Sequence, residues 1–210
     1  MTKRIAHELK EHIPFTALGA ATGIPIMALI LLFDVPYDTS ETFFYTFHFA
    51  HIFMSAFVTT ALYMRYRKGK IWTAMLIGST GALLTCTASD VLLPYLGGTL
   101  LLAPMELCVP LIGHPYTILL ALAGAALGYW RQTTKIPHFG HVLLSTWASL
   151  FYILAFGHIA ANWIALLPFI VLILFLSVWI PCIASDIVYP LLFVKKKPEL
   201  VSLEARELAH

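Results

Sequence analysis

Charge is scarce in this chain. Only 11% of its 210 residues are charged while 60% are apolar, against about 25% charged in ordinary soluble domains. A core of this size cannot hide that imbalance, which excludes a water-soluble globular domain and makes lipid the solvent for much of the surface. Cysteine is scarce too. Cys86, Cys108 and Cys182 are too few for a disulfide framework. No basic n-region, short apolar stretch and small-residue cleavage site stand together at the start, so the N-terminus is expected to be retained. No phosphate-binding glycine loop is present, so any transport would run on gradients or be passive. Nothing beyond short basic ends suggests nucleic acid.

What the chain does have is long apolar runs. A spanning helix needs about 20 mostly apolar residues, and six candidates follow in order: Pro14–Phe33, Phe43–Met64, Ile71–Leu93, about Pro115–Trp130, Phe139–Phe156, and a sixth within Trp163–Val194. The fourth is short. Gly97–Gly113 is apolar but rich in Gly and Pro, and is expected to be re-entrant rather than a plain loop.

The basic residues then orient the chain. Lys3, Arg4 and Lys10 precede the first run, and Arg65, Arg67, Lys68 and Lys70 lie between the second and third. Arg131 and Lys135 separate the fourth and fifth, and Lys195, Lys196, Lys197 and Arg206 follow the sixth. With six spans all 13 basic residues fall on one side. The opposite side carries only the acids Asp34, Asp38, Glu41 and Glu106. Positive charge marks the cytoplasmic face, so both termini are expected there, with the tail 195–210 as a positive anchor. The expected setting is a prokaryotic plasma membrane.

Two motifs recur. His48-Phe-Ala-His51-Ile-Phe-Met-Ser55 returns 90 positions later as His138-Phe-Gly-His141-Val-Leu-Leu-Ser145. Cys86-Thr-Ala-Ser89-Asp90-Val-Leu-Leu-Pro94 returns 96 positions later as Cys182-Ile-Ala-Ser185-Asp186-Ile-Val-Tyr-Pro190. More weakly, His12-Ile-Pro14-Phe-Thr16 echoes His114-Pro115-Tyr-Thr117, with Glu8 and Glu11 upstream of one and Glu106 upstream of the other. The halves are about 7–96 and 104–194. Each has three helices, an odd number, so the second must lie upside down relative to the first. The predicted fold is therefore an all-α integral membrane protein of two inverted three-helix repeats, a plan in which substrate sites form at the repeat interface. Inversion predicts two polar clusters, one towards each face.

Helix residues three and four apart share a face, which aligns His48 with His51, His51 with Ser55, and Cys86 with Asp90, and likewise in the second copy. Two imidazoles and a carboxylate suit a divalent transition metal such as Zn, Fe, Mn, Co or Ni and suit Mg²⁺ or Ca²⁺ poorly. An Asp at mid-membrane costs about 2.5–3.5 kcal/mol on insertion scales and needs a partner. The predicted ligands are His48, His51 and Asp90 on one side, and His138, His141 and Asp186 on the other. Further candidates are Glu106 and His114 at the outer mouth and Glu8, Glu11 and His12 at the inner. Cys86 and Cys182 read as small fillers first and ligands second. Ser55, Ser89, Ser145 and Ser185 read as groups that support ligands or pack helices. Gly19, Gly23, Gly124 and Gly128 read as close helix packing. Pro94 and Pro190 each follow their Asp by four positions. Each proline either ends its helix or opens carbonyls around Thr85–Asp90 and Cys182–Asp186 as oxygen ligands. The Ser-Asp with its later proline loosely resembles heavy-metal exporters of prokaryotes over that stretch alone, and no residue role is carried over.

The expected function is a transporter or channel for a divalent transition metal, with protons as coupling ions and a homodimer as a plausible assembly for so small a body. A membrane-embedded metalloenzyme, hydrolase or oxidoreductase, is the first alternative. It would need ligands and a base at one place, whereas here the set occurs twice. A haem-binding electron carrier would need His on facing helices, whereas each pair sits on one helix. A non-transporting assembly factor would use the polar groups only as helix glue.

Overall fold

The computed structural model describes residues 2–66, 69–101, 103–132, 135–157 and 163–193, without the side chains of 2–12, 135–138, 163, 183, 186 and 187. The backbone of these residues is helical almost throughout. The helices are α1 (Thr2–Leu32), α2 (Tyr37–Tyr66), α3 (Ile71–Thr87), α4 (Leu93–Leu100), α5 (Pro110–Gly113), α6 (Thr117–Trp130), α7 (Lys135–Phe156), α8 (Trp163–Ile183) and α9 (Tyr189–Leu192). In lipid no water serves the backbone, so an apolar run satisfies its N–H and C=O groups within itself as helix.

Five segments are long and apolar enough to cross a membrane: Ile13–Leu32, Tyr37–Tyr66, Ile71–Leu100, Phe139–Phe156 and Ile164–Cys182. The sixth expected span, α6, has 14 residues. At about 1.5 Å per residue it reaches roughly 21 Å, short of a hydrocarbon core of about 30 Å.

Boundaries moved for physical reasons. Helix α2 begins at Tyr37, not Phe43, because helix propagates through the polar Asp38–Thr42 once Asp38 sits in its first turn, where a carboxylate meets the positive end of the dipole. Asp34 makes the turn before it in the left-handed region, φ 49°, which Asp tolerates better than most side chains. The third run does not stop at Leu93. After α3 the chain makes one π-helical turn, Ala88–Leu92, and continues as α4 to Leu100. Gly97–Gly113 is consequently not one re-entrant unit. Its first residues complete that helix. Later ones form a strap in which Met105 bridges Gly157 and the Glu106 N–H bonds the Phe156 carbonyl at 2.8 Å.

The second copy of the motif folds as the first does. Ala184–Val188 is again a π-helical turn, followed by α9 with Pro190 in its first turn, as Pro94 is in α4. Matching sequence has given matching local structure.

Helices α2 and α7, which carry the His motifs, form the centre. Of their apolar windows 67% and 72% are buried, against 28% in those of α1 and α8, which face outwards. Helix α2 packs on α7, α6 and α3, and α7 packs on α2, α1 and α8. The outer helices lean across the halves: α1 lies on α7 and α8, and α6 lies on α2 and α3. Glycine permits both approaches. A Cβ on Gly124 or Gly128 of α6 would stand 2.1 Å or 2.3 Å from the carbonyl oxygens of Phe53 or Phe57 on α2. A Cβ on Gly19 of α1 would stand 2.6 Å from Thr146 Oγ1 on α7, and one on Gly23 3.1 Å from Leu150.

Candidate metal centre

Asp90 lies in the π-helical turn and is wholly buried. A π turn adds one residue to a helical turn, a device frequent at functional sites. Here it turns Asp90 towards α2 and α7. Its Oδ2 meets His48 Nδ1 at 2.8 Å and His51 Nδ1 at 2.7 Å. Its Oδ1 accepts from Ser89 Oγ at 2.6 Å and from Ser145 Oγ at 2.9 Å. Four bonds fill the acceptor capacity of a carboxylate. An ionised carboxylate only accepts, so both Nδ1 atoms donate to it, and in a neutral imidazole that tautomer leaves Nε2 with a lone pair.

On the far side of His51, its Nε2 lies 3.7 Å from Cys86 Sγ. The His51 ring stacks on that of His141, centroids 5.7 Å apart and planes within 5°. Donor atoms of His51, His141 and Cys182 all fall within 4.8 Å of one another, and the three residues are buried. These side chains come from α2, α7 and α8. Imidazole and thiol together are the donor set of borderline and soft cations.

The placement corrects the expectation of two clusters held apart at opposite faces. The first motif set touches the second, through His51 with His141 and through Ser145 with Asp90. His51 stands halfway along α2, not near its end. Cys182, read first as filler, lies in the donor group, while Asp90 and His48 stand behind it. Glu106 is exposed and His114 is half-buried. Neither joins the donor group. His114 lies among Tyr45, Phe49 and Tyr116, and the Glu106 carbonyl accepts from the Tyr152 hydroxyl at 3.0 Å. The side chains of Glu8, Glu11, His12, His138 and Asp186 lie outside the described residues.

The prolines work differently from the expectation as well. In the π turn the Leu93 N–H bonds the carbonyl of Ala88, five residues back. The next carbonyl in that register belongs to Ser89, and Pro94 has no N–H to give it. Ser149 Oγ of α7 donates to it instead, at 3.0 Å, sharing its proton with the Ser145 carbonyl at 2.8 Å. The freed carbonyl is therefore taken rather than open to an ion. In the second copy Thr59 Oγ1 of α2 lies 3.4 Å from the carbonyl of Ser185 and 3.0 Å from its hydroxyl, and Ser55 Oγ lies 3.2 Å from that hydroxyl. Sequence reasoning missed Ser149 and Thr59. They too are 90 positions apart, so extending the motif by one helical turn finds them.

Ser149→Ala should cost about 1–3 kcal/mol, the penalty of a buried carbonyl left unserved. Adding Pro94→Ala supplies an N–H and should shrink that penalty. Thermal unfolding of the four proteins of this cycle in detergent checks it. An undiminished penalty would show that Ser149 does not stand in for the missing N–H.

No family model, curated protein or solved structure matches the chain.

Proposed function

We propose that the protein is a transporter or channel for a divalent transition-metal cation, with six spans in two inverted three-helix repeats and both termini cytoplasmic. One observation carries this reading: His51, His141 and Cys182, buried on three helices of both halves, hold their donor atoms within 4.8 Å of one another. A site built between halves and halfway along a spanning helix is where inverted-repeat transporters hold their cargo. The Asp90 network supports it. A carboxylate on His Nδ1 fixes the tautomer that leaves Nε2 for a metal. It also brings negative charge into a buried cluster that a cation would neutralise. The packing of α1 on α7 and α8, matched by α6 on α2 and α3, supports the repeat. The basic residues on alternate connections support the orientation. In this reading α6 completes its crossing with help from the turn at 114–116, and the metal is cargo.

The test is zinc flux into proteoliposomes loaded with a fluorescent chelator. Saturable uptake above protein-free vesicles is expected, falling about tenfold or more in His51→Ala/His141→Ala protein that still elutes as one species. Uptake no greater than that of empty vesicles, or unchanged in the double variant, would sink the proposal.

A further inference from the structure

Cys86 stands outside the three-donor group yet beside it, and its position carries more than packing. It is wholly buried, and its Sγ lies 3.7 Å from Nε2 of His51, the ring nitrogen that does not face Asp90. In a tetrahedral site with Zn–S near 2.3 Å and Zn–N near 2.0–2.1 Å, the S···N edge is about 3.6 Å. The Cys86–His51 separation thus fits the edge of a tetrahedron. Cys182, the counterpart of Cys86 in the second motif, already belongs to the donor group with His141, the counterpart of His51.

We infer that Cys86 is the fourth ligand of one shared site, His51–Cys86 from the first half and His141–Cys182 from the second. Its ion is then a thiophilic cation of the Zn²⁺ class, bound as a two-nitrogen, two-sulfur tetrahedron. This deepens the transport reading and rests on it. It narrows the cargo, because thiolate pairs favour Zn²⁺ and softer ions over Mn²⁺, which prefers oxygen donors. It also replaces two sites with one, drawn equally from each half. Binding releases the thiol protons, since a sulfur ligand must be deprotonated.

The experiment uses full-length protein in detergent, loaded with Zn²⁺ for X-ray absorption and with Co²⁺ for optical spectra. The zinc edge should fit two sulfur and two nitrogen neighbours. Tetrahedral Co²⁺ should show sulfur-to-metal charge transfer in the near ultraviolet, reduced by about half in Cys86→Ser and by about half in Cys182→Ser. X-ray absorption on the unaltered protein keeps the test open should a variant fail to fold. One sulfur neighbour in the zinc protein would overturn the fourth ligand and leave the transport reading standing. So would a cobalt band that Cys86→Ser leaves at full strength. A protein that takes up neither metal stoichiometrically would overturn both.

Discussion

Asp90→Asn protein should stay folded and bind its metal about 10–100-fold more weakly, whereas Asp90→Ala protein should be strongly destabilised. Both outcomes follow from the four hydrogen bonds on one carboxylate. Alanine removes the carboxylate and strands two imidazole N–H groups and the Ser145 hydroxyl in the interior, while Ser89 keeps only its longer bond to the Cys86 carbonyl at 3.4 Å. Breaking a buried charged network in this way costs about 3–5 kcal/mol, a large part of the roughly 5–15 kcal/mol that holds a domain folded. Asparagine keeps the shape. Its oxygen can still face Ser89 and Ser145, and its NH₂ then faces the two histidines. Those must accept at Nδ1, which moves each proton to Nε2. His51 would then offer an N–H where a ligand needs a lone pair, and metal affinity should fall about 10–100-fold. Competition titration against a zinc indicator reads the change, with elution in detergent as the folding control. Wild-type affinity in Asp90→Asn would mean that Asp90 does not set the His51 tautomer.

The second large effect concerns Gly124 and Gly128. In an exposed helix Gly→Ala stabilises by up to about 1 kcal/mol. Here the sign should reverse. A methyl on either glycine meets a carbonyl oxygen of α2 at 2.1 Å or 2.3 Å, and backbone cannot rotate aside as a side chain can. Forcing atoms into packed space costs about 1–3 kcal/mol, occasionally more. Each alanine should therefore lower the melting temperature, and leucine should displace α6 altogether. The double alanine should cost less than the two singles together, because one outward shift of α6 relieves both clashes. Gly113, with nothing within 4 Å of a Cβ, is the control whose alanine should do little harm. An unchanged melting temperature in Gly124→Ala would contradict the close approach of α6 to α2.

Much of the helical plan was legible because apolar runs report lipid contact directly. The pairing of Ala88–Leu92 with Ala184–Val188 was legible as a repeated string, though nothing in it spells a π turn. The members of the donor group were legible, His51 and His141 as ligands and Cys182 as a further candidate, but their meeting at one place was not. Hydropathy stops counting at Phe43, while α2 begins at Tyr37, and those six polar-rich residues shift His51 from the helix end to its midpoint. Spacing also fixes which residues share a helix face, but not which neighbour that face meets. The stacking of His51 on His141 and the reach of Ser145 to Asp90 depend on α2 and α7 lying side by side. The surroundings of Asp90 were hidden for the same reason. Spacing puts a carboxylate near two imidazoles but does not show the hydroxyls of Ser89 and Ser145 that also bond it.

The crossed packing of α1 and α6 has a consequence for biogenesis. A ribosome delivers the first three helices before the helices that α1 rests on exist, so the leading half must wait in the bilayer with that face uncovered. Folding should finish only after α7 and α8 emerge. Cut in the connection 131–134, the two pieces should each be degraded when made alone and persist when made together.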